Sequence, residues 1–311
     1  MSSPLIRPIT EDDWAVVRDI RLESLADEPS AYGLTLEEAL GWGEEKWRER
    51  VAARAVYVAE VDGRVVGTAN GAPHDSQPGD YFLFGMYVTP EWRGRGVGEG
   101  LIDAASAWSW CQGARHIDLF VNSALPRAVG LYTKVGFTPT GEIHTMPERP
   151  GLEMVRMRRS LEGWEFSVRP VAAEELYPLR RRVLRFNDPT RVVADPRDID
   201  VDTRHYGGFI GPRLVVSASW YPSTSPVDPE LPTWQLRYMA TDLDVQGLGL
   251  GRTVIEVALD DLRALGVQQV WANGRDTALG FYDATGWKRV PGSEHLSPET
   301  QLPHTVIYRS L

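Results

Sequence analysis

The chain has 311 residues, 42% of them hydrophobic and 24% charged, which is typical of a soluble globular protein long enough for two domains of about 150 residues. The net charge of −10 argues against general binding to nucleic acid or an anionic membrane and mildly favours cationic partners such as amines. A single cysteine, Cys111, excludes an intrachain disulfide. Because no apolar run approaches the ~20 residues of a membrane span and residues 1–30 lack a signal-peptide core, we expect a cytoplasmic protein.

The first half begins with a predicted strand and two helical regions. Residues 5–9 form the strand, and Thr10 with Asp13 is typical of a capping box that opens the first helix. Pro29 ends this helix, and residues 31–50 form a second helical region.

A predicted hairpin and a long strand follow. Two alternating segments, 56–60 and 64–69, flank Asp62-Gly63, which is a strong signal for a two-residue hairpin turn. A polar loop, 73–80, then leads to an apolar run, 81–88, that predicts the long strand.

A glycine-rich turn, Arg93–Gly98, comes directly after this strand. The helix behind it has an apolar stripe that includes Leu101 and Ala105, and it ends at Gly113. Three glycines at alternate positions let backbone N–H groups approach a ligand closely. Because a helix N-terminus favours negative charge, the unit predicts a site for a phosphate or pyrophosphate.

The remaining elements of the first half are short. They are a strand around Ile117 to Val121, a helix from Ala128 to Val135 that stops at Gly136, and a last strand at Glu153 to Met157.

The second half repeats the first. A strand candidate, 236–241, precedes the turn Gln246–Gly251 and a helical stripe of Val254, Ile255, Ala258, Leu259 and Leu262. Matching motifs recur at offsets of 150 to 162 residues up to the closing Arg-Ser-Leu at 159–161 and 309–311. This pattern indicates an internal duplication, with domains at 1–161 and 166–311 and a short linker between them.

The shared turn pattern, [RQ]-x-x-G-x-G, resembles the pyrophosphate motif of the GNAT superfamily of acyl-CoA N-acyltransferases. Each half also carries the later motif [LF]-Y-x-x-x-G-[FW], at Leu131–Phe137 and at Phe281–Trp287. The resemblance implies an α/β (α+β) fold of two tandem GNAT domains. Each would be a mixed, mostly antiparallel sheet flanked by helices, with a β-bulge and a splayed strand pair that admits acyl-CoA.

The resemblance also implies how acetyl-CoA is held, with no metal. Pantetheine would pair with strand backbone at Met86, Tyr87 and Val88, and at Met239, Ala240 and Thr241. Pyrophosphate would bind the amides of Arg93, Gly94, Arg95, Gly96, Val97 and Gly98, and of Gln246, Gly247, Leu248, Gly249, Leu250 and Gly251. Since both turns are intact, the sequence predicts up to two acyl-CoA molecules per chain.

The catalytic candidates are Tyr132 and Tyr282, which hold the family's position for the group that protonates the leaving thiolate. A strand amide at Val88 or Thr241 would polarise the thioester carbonyl. The first half lies slightly closer to the family pattern, so the sequence weakly favours catalysis there.

Two departures from the family pattern affect the site. The family often has an asparagine seven residues before the tyrosine, but Leu125 and Arg275 stand there. Asn122 and Asn273 lie nearby and are the candidate cofactor-binding asparagines. The strand before each turn also lacks the carboxylate that many members use as a base. Deprotonation would then proceed through water or a loop carboxylate, for which the candidates are Glu37, Glu38 and Asp202.

The histidines give no metal prediction, because His116, His205 and His304 lack a ligand spacing with cysteine, aspartate or another histidine. The acidic stretch Asp195, Asp198, Asp200 and Asp202 is a candidate entry for a cationic acceptor or a solvated loop.

The function predicted from the sequence is acetyl-CoA-dependent N-acetyl transfer to a primary amine of a small molecule or protein. One alternative is that one half binds acyl-CoA only for structure or sensing. Another is a tandem acetyltransferase similar to mycothiol synthase. We expect no nucleic-acid or membrane partner, and a monomer or homodimer.

Overall fold

The structure is a computed structural model, and it describes residues 4–74, 79–145, 152–186, 188 and 190–311. It divides into two compact units, Met1–Glu165 with Gly211–Arg213 and Phe166–Ile210 with Leu214–Leu311. Each unit contains one mixed sheet with helices on it, which confirms the predicted fold class. Within the described residues, no helix has the length and apolar character that a bilayer span requires.

The described part of the first unit contains seven strands and five α-helices. The strands are β1 (Leu5–Pro8), β2 (Ala55–Val61), β3 (Arg64–Pro73), β4 (Tyr81–Val88), β5 (His116–Asn122), β6 (Phe137–Thr145) and β7 (Glu153–Ser160). The helices are α1 (Trp14–Asp27), α2 (Leu36–Leu40), α3 (Glu44–Ala52), α4 (Val97–Cys111) and α5 (Pro126–Lys134). The strand order is β1-β2-β3-β4-β5-β7-β6, and only β4 and β5 pair in parallel.

The second unit repeats this order with fewer helices. Its strands are β8 (Phe166–Pro170), β9 (Arg204–Ile210), β10 (Arg213–Pro222), β11 (Thr233–Thr241), β12 (Gln269–Arg275), β13 (Lys288–Arg289), β14 (His295–Leu296) and β15 (Pro303–Ser310). Its α-helices are α6 (Ala173–Leu179), α7 (Leu250–Ala264) and α8 (Leu279–Ala284). The order is β13-β15-β12-β11-β10-β9-β8, with β14 on β15, and β11 and β12 pair in parallel.

The long helix behind each glycine turn packs its apolar stripe into the core. In α7 the five predicted stripe residues, Val254, Ile255, Ala258, Leu259 and Leu262, are all fully buried. In α4, Leu101 and Ala105 belong to a buried cluster with side chains of β2, β3, β4 and β5. These two helices therefore anchor the turns at their N-termini against the sheets.

The predicted hairpin is present between β2 and β3. Asp62 and Gly63 have φ angles of 49° and 81°, the left-handed conformation that a type I′ turn requires at both central residues. The sequence missed β6, because Phe137 is its only buried residue and the other eight are exposed. An edge strand of this kind carries no alternating apolar signal.

The second unit lacks the expected second helix within its described residues. A π-helical segment, Arg180–Leu184, continues α6, and a 3-10 turn, Pro196–Ile199, precedes β9. Pro178 inside α6 removes a backbone donor there. π-Helical turns occur often at functional sites, and this one is followed by Arg185, which lines a cavity beside β11.

Candidate active site

In the second unit, β11 and β12 pair at one end and separate at the other. Their parallel ladder runs only from Thr233 with Gln269 to Leu236 with Ala272. A register shift between β10 and β11 follows at once, and Tyr238 takes a φ of 55° there. Such a bulge bends the strand. The end of β11 therefore has a backbone edge that β12 does not cover.

The first unit has the same separation at the matching position. β4 and β5 pair only at Tyr81 and Phe82, and a register shift lies between Thr68 and Asn70 of β3. Gly85 occupies the bulge with a φ of 62°. The splayed strand pair that the sequence predicts is thus present in both units.

The glycine turns have the backbone geometry of an anion cradle. Gly94 and Gly96 have φ angles of 72° and 80°, and Gly247 and Gly249 have φ angles of 81° and 78°. A Cβ atom added at any of the four would meet no atom within 4 Å. The turns therefore leave open space beside backbone N–H groups that lie at a helix N-terminus.

The first and last residues of each turn have structural roles. Arg93 Nε donates to Val88 O at 2.9 Å, and Gln246 Nε2 donates to Thr241 O at 3.0 Å. Each side chain thus ties its turn to the end of the preceding strand. The last glycines, Gly98 and Gly251, allow close packing, since an added Cβ would lie 2.9 Å from Leu131 Cδ2 and 2.9 Å from Met239 Cε respectively.

A cavity of about 700 Å³ lies at the separated strands of the second unit. Ten of the predicted residues line it: Met239, Ala240, Thr241, Gln246, Gly247, Gly249, Leu250, Gly251, Asn273 and Tyr282. Leu248 belongs to the same turn but is exposed and is not in the lining. The structure thus brings the turn, the free strand edge and the tyrosine of this half together.

Tyr282 is buried in this cavity wall. Its ring packs edge-on against Trp287, with centroids 5.5 Å apart. Within the described residues its hydroxyl has no hydrogen-bond partner. Burial raises the pKa of Tyr282, although the Arg275 guanidinium opposes this effect. The phenol therefore stays protonated at neutral pH, as a proton donor must.

Tyr132 has a similar environment in the first unit. It is 8% exposed, against 7% for Tyr282, and its ring packs edge-on against Phe137 at 5.7 Å. Burial raises its pKa too, and nearby Tyr32 adds to the effect. The two tyrosines are matched in burial and packing.

The chain itself covers the strand gap of the first unit. Tyr32 Oη donates to Met86 O at 2.8 Å, and Asn122 Nδ2 donates to Ser30 O at 3.0 Å. Arg93 also forms ion pairs with Asp27 and Glu28. Residues 27–32 therefore engage strand groups that the predicted cofactor contact would use.

Strand register changes the assignment of the asparagines. β5 pairs with β7 so that Asn122 lies opposite Met154, and β12 pairs with β15 so that Arg275 lies opposite His304. Met154 and His304 are equivalent, because both strands end in the repeated Arg-Ser-Leu. The counterpart of Asn122 is thus Arg275, and not Asn273. The sequence missed this equivalence because the loop after β5 is longer by three residues.

Two of the four aspartates in the acidic stretch are neutralised by arginines. Asp195 accepts from Arg197 and Arg237, with distances of 3.0 and 2.8 Å. Arg180 donates to Asp198 at 2.8 Å, and both side chains are buried. Although burial disfavours its charged form, hydrogen bonds from Arg180 and Tyr221 hold the pKa of Asp198 below its ordinary value. These two aspartates do not form a free cation-binding surface.

The proposed loop bases lie apart from the cavity lining. Glu38 accepts from the N–H and the hydroxyl of Thr35 as part of the cap of α2. Glu37 and Asp202 are exposed, and none of the three lines the cavity of the second unit. Two histidines that do line it, His295 and His304, lie on β14 and β15.

Within the described residues, one group has ligand atoms close enough to hold a metal: Asp80, His116 and Asp118, within 4.8 Å of one another. The spacing in the sequence did not predict this group. Arg156 and Arg158 each donate to Asp118 at 2.8 Å. His116 Nε2 lies 2.9 Å from Asp80 Oδ1. We interpret the group as an ion-pair network, because guanidiniums already neutralise its most buried carboxylate.

Comparisons with known proteins agree with this geometry. The family model "Acetyltransferase (GNAT) family" matches residues 17–137 and again residues 173–287. The uncharacterized N-acetyltransferase YitI of Bacillus subtilis is 30% identical over 46% of this chain and 95% of its own length. Mycothiol acetyltransferase of Propionibacterium freudenreichii is 26% identical over 48% of each protein.

A solved structure is similar to one half of the chain. It is yncA of Salmonella typhimurium, a putative acetyltransferase with its cofactor acetyl-CoA. The sequence identity is 22% and the TM-score 0.42, over 52% of this chain and 95% of that one. Because the family model matches most of the chain, once in each half, the protein belongs to the GNAT acetyltransferase family and contains two GNAT domains in tandem.

Proposed function

We propose that the protein is an acetyl-CoA-dependent N-acetyltransferase for a primary amine of a small molecule or protein, and that its second half is catalytic. One observation carries this proposal. The turn Gln246–Gly251, the free edge of β11 and Tyr282 all line one cavity of about 700 Å³, a size typical of ligand sites. This proposal reverses the weak preference for the first half that the sequence gives.

The residues of this half fit acetyl-CoA. The turn amides would bind the pyrophosphate, since Gly247 and Gly249 leave open space beside them. The backbone of Met239–Thr241 would pair with pantetheine along the uncovered strand edge. Acetyl-CoA supplies a thioester as the acyl donor. Tyr282 would give a proton to the departing thiolate, because burial keeps its phenol protonated.

The cavity wall also gives a reason why this chain does not need the carboxylate that many family members carry on the strand before the turn and use as a base. Arg275 lines the cavity and has no acidic partner among the described residues, whereas Glu299 and Asp195 neutralise the neighbouring Arg185 and Arg237. Nearby positive charge disfavours an ammonium and so lowers the pKa of a bound amine. A larger share of the acceptor would then be the neutral nucleophile, and water could take its proton.

The first half is non-catalytic in this proposal and, unlike the acyl-CoA-binding alternative that the sequence left open, it does not bind acetyl-CoA. Tyr32 engages Met86 O, and Ser30 O engages Asn122, where the cofactor would pair. A mycothiol-like acceptor is the second candidate for the catalytic half. It is supported by two relatives, each matched over less than half of its own length.

Calorimetric titration with acetyl-CoA, together with turnover of an amine panel that includes the amine precursor of mycothiol, tests the proposal. We expect one acetyl-CoA per chain and acetylation of at least one amine. Two equal sites, or binding without turnover of any amine, would contradict it.

A further inference from the structure

An arginine cluster lies at the end of the cavity away from the glycine turn. It consists of Arg185 after the π-helical segment, Arg237 on β11 and Arg275 on β12, and all three line the cavity. Arg237 precedes Thr241 by four residues, which is ~13 Å of extended strand. Because Thr241 adjoins the glycine turn, Arg237 lies too far along the strand to serve the pyrophosphate. Arg185 shares Glu299 with Arg237.

Two carboxylates neutralise part of the cluster. Glu299 Oε2 accepts from Arg185 Nη2 at 2.5 Å, and its other oxygen accepts from Arg237. Asp195 accepts from Arg237 and from Arg197 behind it. These acids are therefore shared among Arg185, Arg197 and Arg237.

Arg275 has no acidic partner within the described residues. Its one hydrogen bond is from Nη2 to Leu184 O at 3.5 Å, a weak contact. The guanidinium also lies over the Phe186 ring, 5.8 Å from its centroid. Burial and the neighbouring Arg185 both lower the pKa of Arg275, although Tyr282 opposes this effect. Such a charge in a half-buried wall is costly unless a ligand neutralises it.

The position of Arg275 points to the acceptor. It lies seven residues before Tyr282 and acts electrostatically on that phenol. A guanidinium presents a planar fork of donors that fits a carboxylate in a bidentate manner. Its equivalent in the first unit, Asn122, has no charge and contacts Ser30.

We propose that the acceptor is a small amino-carboxylic acid, whose carboxylate is bound by Arg275 with Arg185 while its amine faces Tyr282. This inference rests on the proposed function and names the substrate class of that same site. It does not require any cationic group on the acceptor beyond the amine itself.

The test compares matched acceptors on the wild-type chain. One arm uses amino acids, their carboxamides and the corresponding decarboxylated amines. The second arm uses β-alanine and phosphoethanolamine. We expect kcat/KM to be about 10- to 100-fold higher for the amino acids than for their amides, since hydrogen bonds to a charged group are lost in the amides. Equal rates for amides or simple amines would overturn the inference.

The comparison of β-alanine with phosphoethanolamine shows whether the site prefers a carboxylate or a phosphate on the acceptor. A preference for phosphoethanolamine would also overturn the inference. If no amine is acetylated at all, the proposed function fails instead.

Three variants then test whether the arginine cluster causes the preference for amino acids over amides. Arg275→Gln is expected to remove the preference for amino acids over amides while acetyl-CoA affinity stays unchanged. Arg275→Lys keeps the positive charge but lacks the planar fork of guanidinium donors, so it should retain part of the preference for amino acids. Arg263→Gln, on the exposed face of α7, is the control. A preference that survives in Arg275→Gln would contradict the assignment. The wild-type comparison decides the substrate class even if a variant fails to fold.

Discussion

Tyr132 and Tyr282 are single residues whose positions the sequence alone predicts. Their motif predicts their places, and both lie buried within the last helix of their domain. Arg275 could not be assigned in the same way. Its equivalence to Asn122 depends on where β12 pairs with β15, which is a long-range register. Counting back from the repeated Arg-Ser-Leu would have provided the signal.

His205 gives a pH dependence that can be measured. Nδ1 lies 2.7 Å from Ser219 Oγ and Nε2 lies 3.1 Å from Asp198 O. Burial lowers its pKa, although Asp198 opposes this effect. The unfolded chain therefore binds the proton more readily, so stability is fully present above the ordinary histidine pKa of about 6.5 and is lost as the pH falls below it.

We expect the free energy of unfolding of the wild type, measured by urea denaturation, to decrease between pH 7.5 and pH 5.5. The slope for one proton cannot exceed about 1.4 kcal/mol per pH unit. His205→Asn should flatten the curve in this window, and exposed His295→Asn should leave it as in the wild type. An unchanged slope in His205→Asn would show that other groups cause the dependence.

At the scale of elements, the glycine turns followed from the sequence most completely. Their spacing predicts a helix N-terminus at each turn, and a helix begins at both; the structure adds that two glycines of each turn have positive φ angles. The strand β6 and the π-helical segment after α6 did not follow. An exposed edge strand has no apolar period, and π-helical hydrogen bonding leaves no distinct composition in the sequence.

The turn of the second unit can be tested with a matched pair of glycines. Gly249 and Gly266 stand before and after α7, with φ angles of 78° and 79° and open space at Cβ. Alanine at either position should cost a similar ~1–2 kcal/mol of stability. Only Gly249→Ala should weaken acetyl-CoA binding, by about 10- to 100-fold, because its methyl group would stand beside the phosphate amides.

Calorimetry on the two variants distinguishes this effect from general destabilisation. Equal affinities in Gly249→Ala and Gly266→Ala would mean that the turn does not hold the cofactor.

At the scale of the whole molecule, the recurring motifs in the sequence predicted the duplication, but no sequence pattern predicted the difference between the two halves. Tyr32 and Met86 are 54 residues apart in sequence, and no local pattern shows that their hydrogen bond forms. The contact covers the strand gap of the first unit. In the second unit the π-helical segment and Arg185 line an open cavity instead. The halves thus share a fold and differ in the segment that follows the first helix.

The most direct test of catalysis in the second half is to replace each matched tyrosine by phenylalanine. Phenylalanine keeps the packing on Trp287 or Phe137 and removes only the hydroxyl group that would donate the proton. With an accepted amine, single-turnover acetyl transfer should fall by ~100- to 10,000-fold in Tyr282→Phe, with acetyl-CoA affinity unchanged, and stay near the wild-type rate in Tyr132→Phe. A wild-type rate in Tyr282→Phe, or loss of activity in Tyr132→Phe alone, would contradict the account.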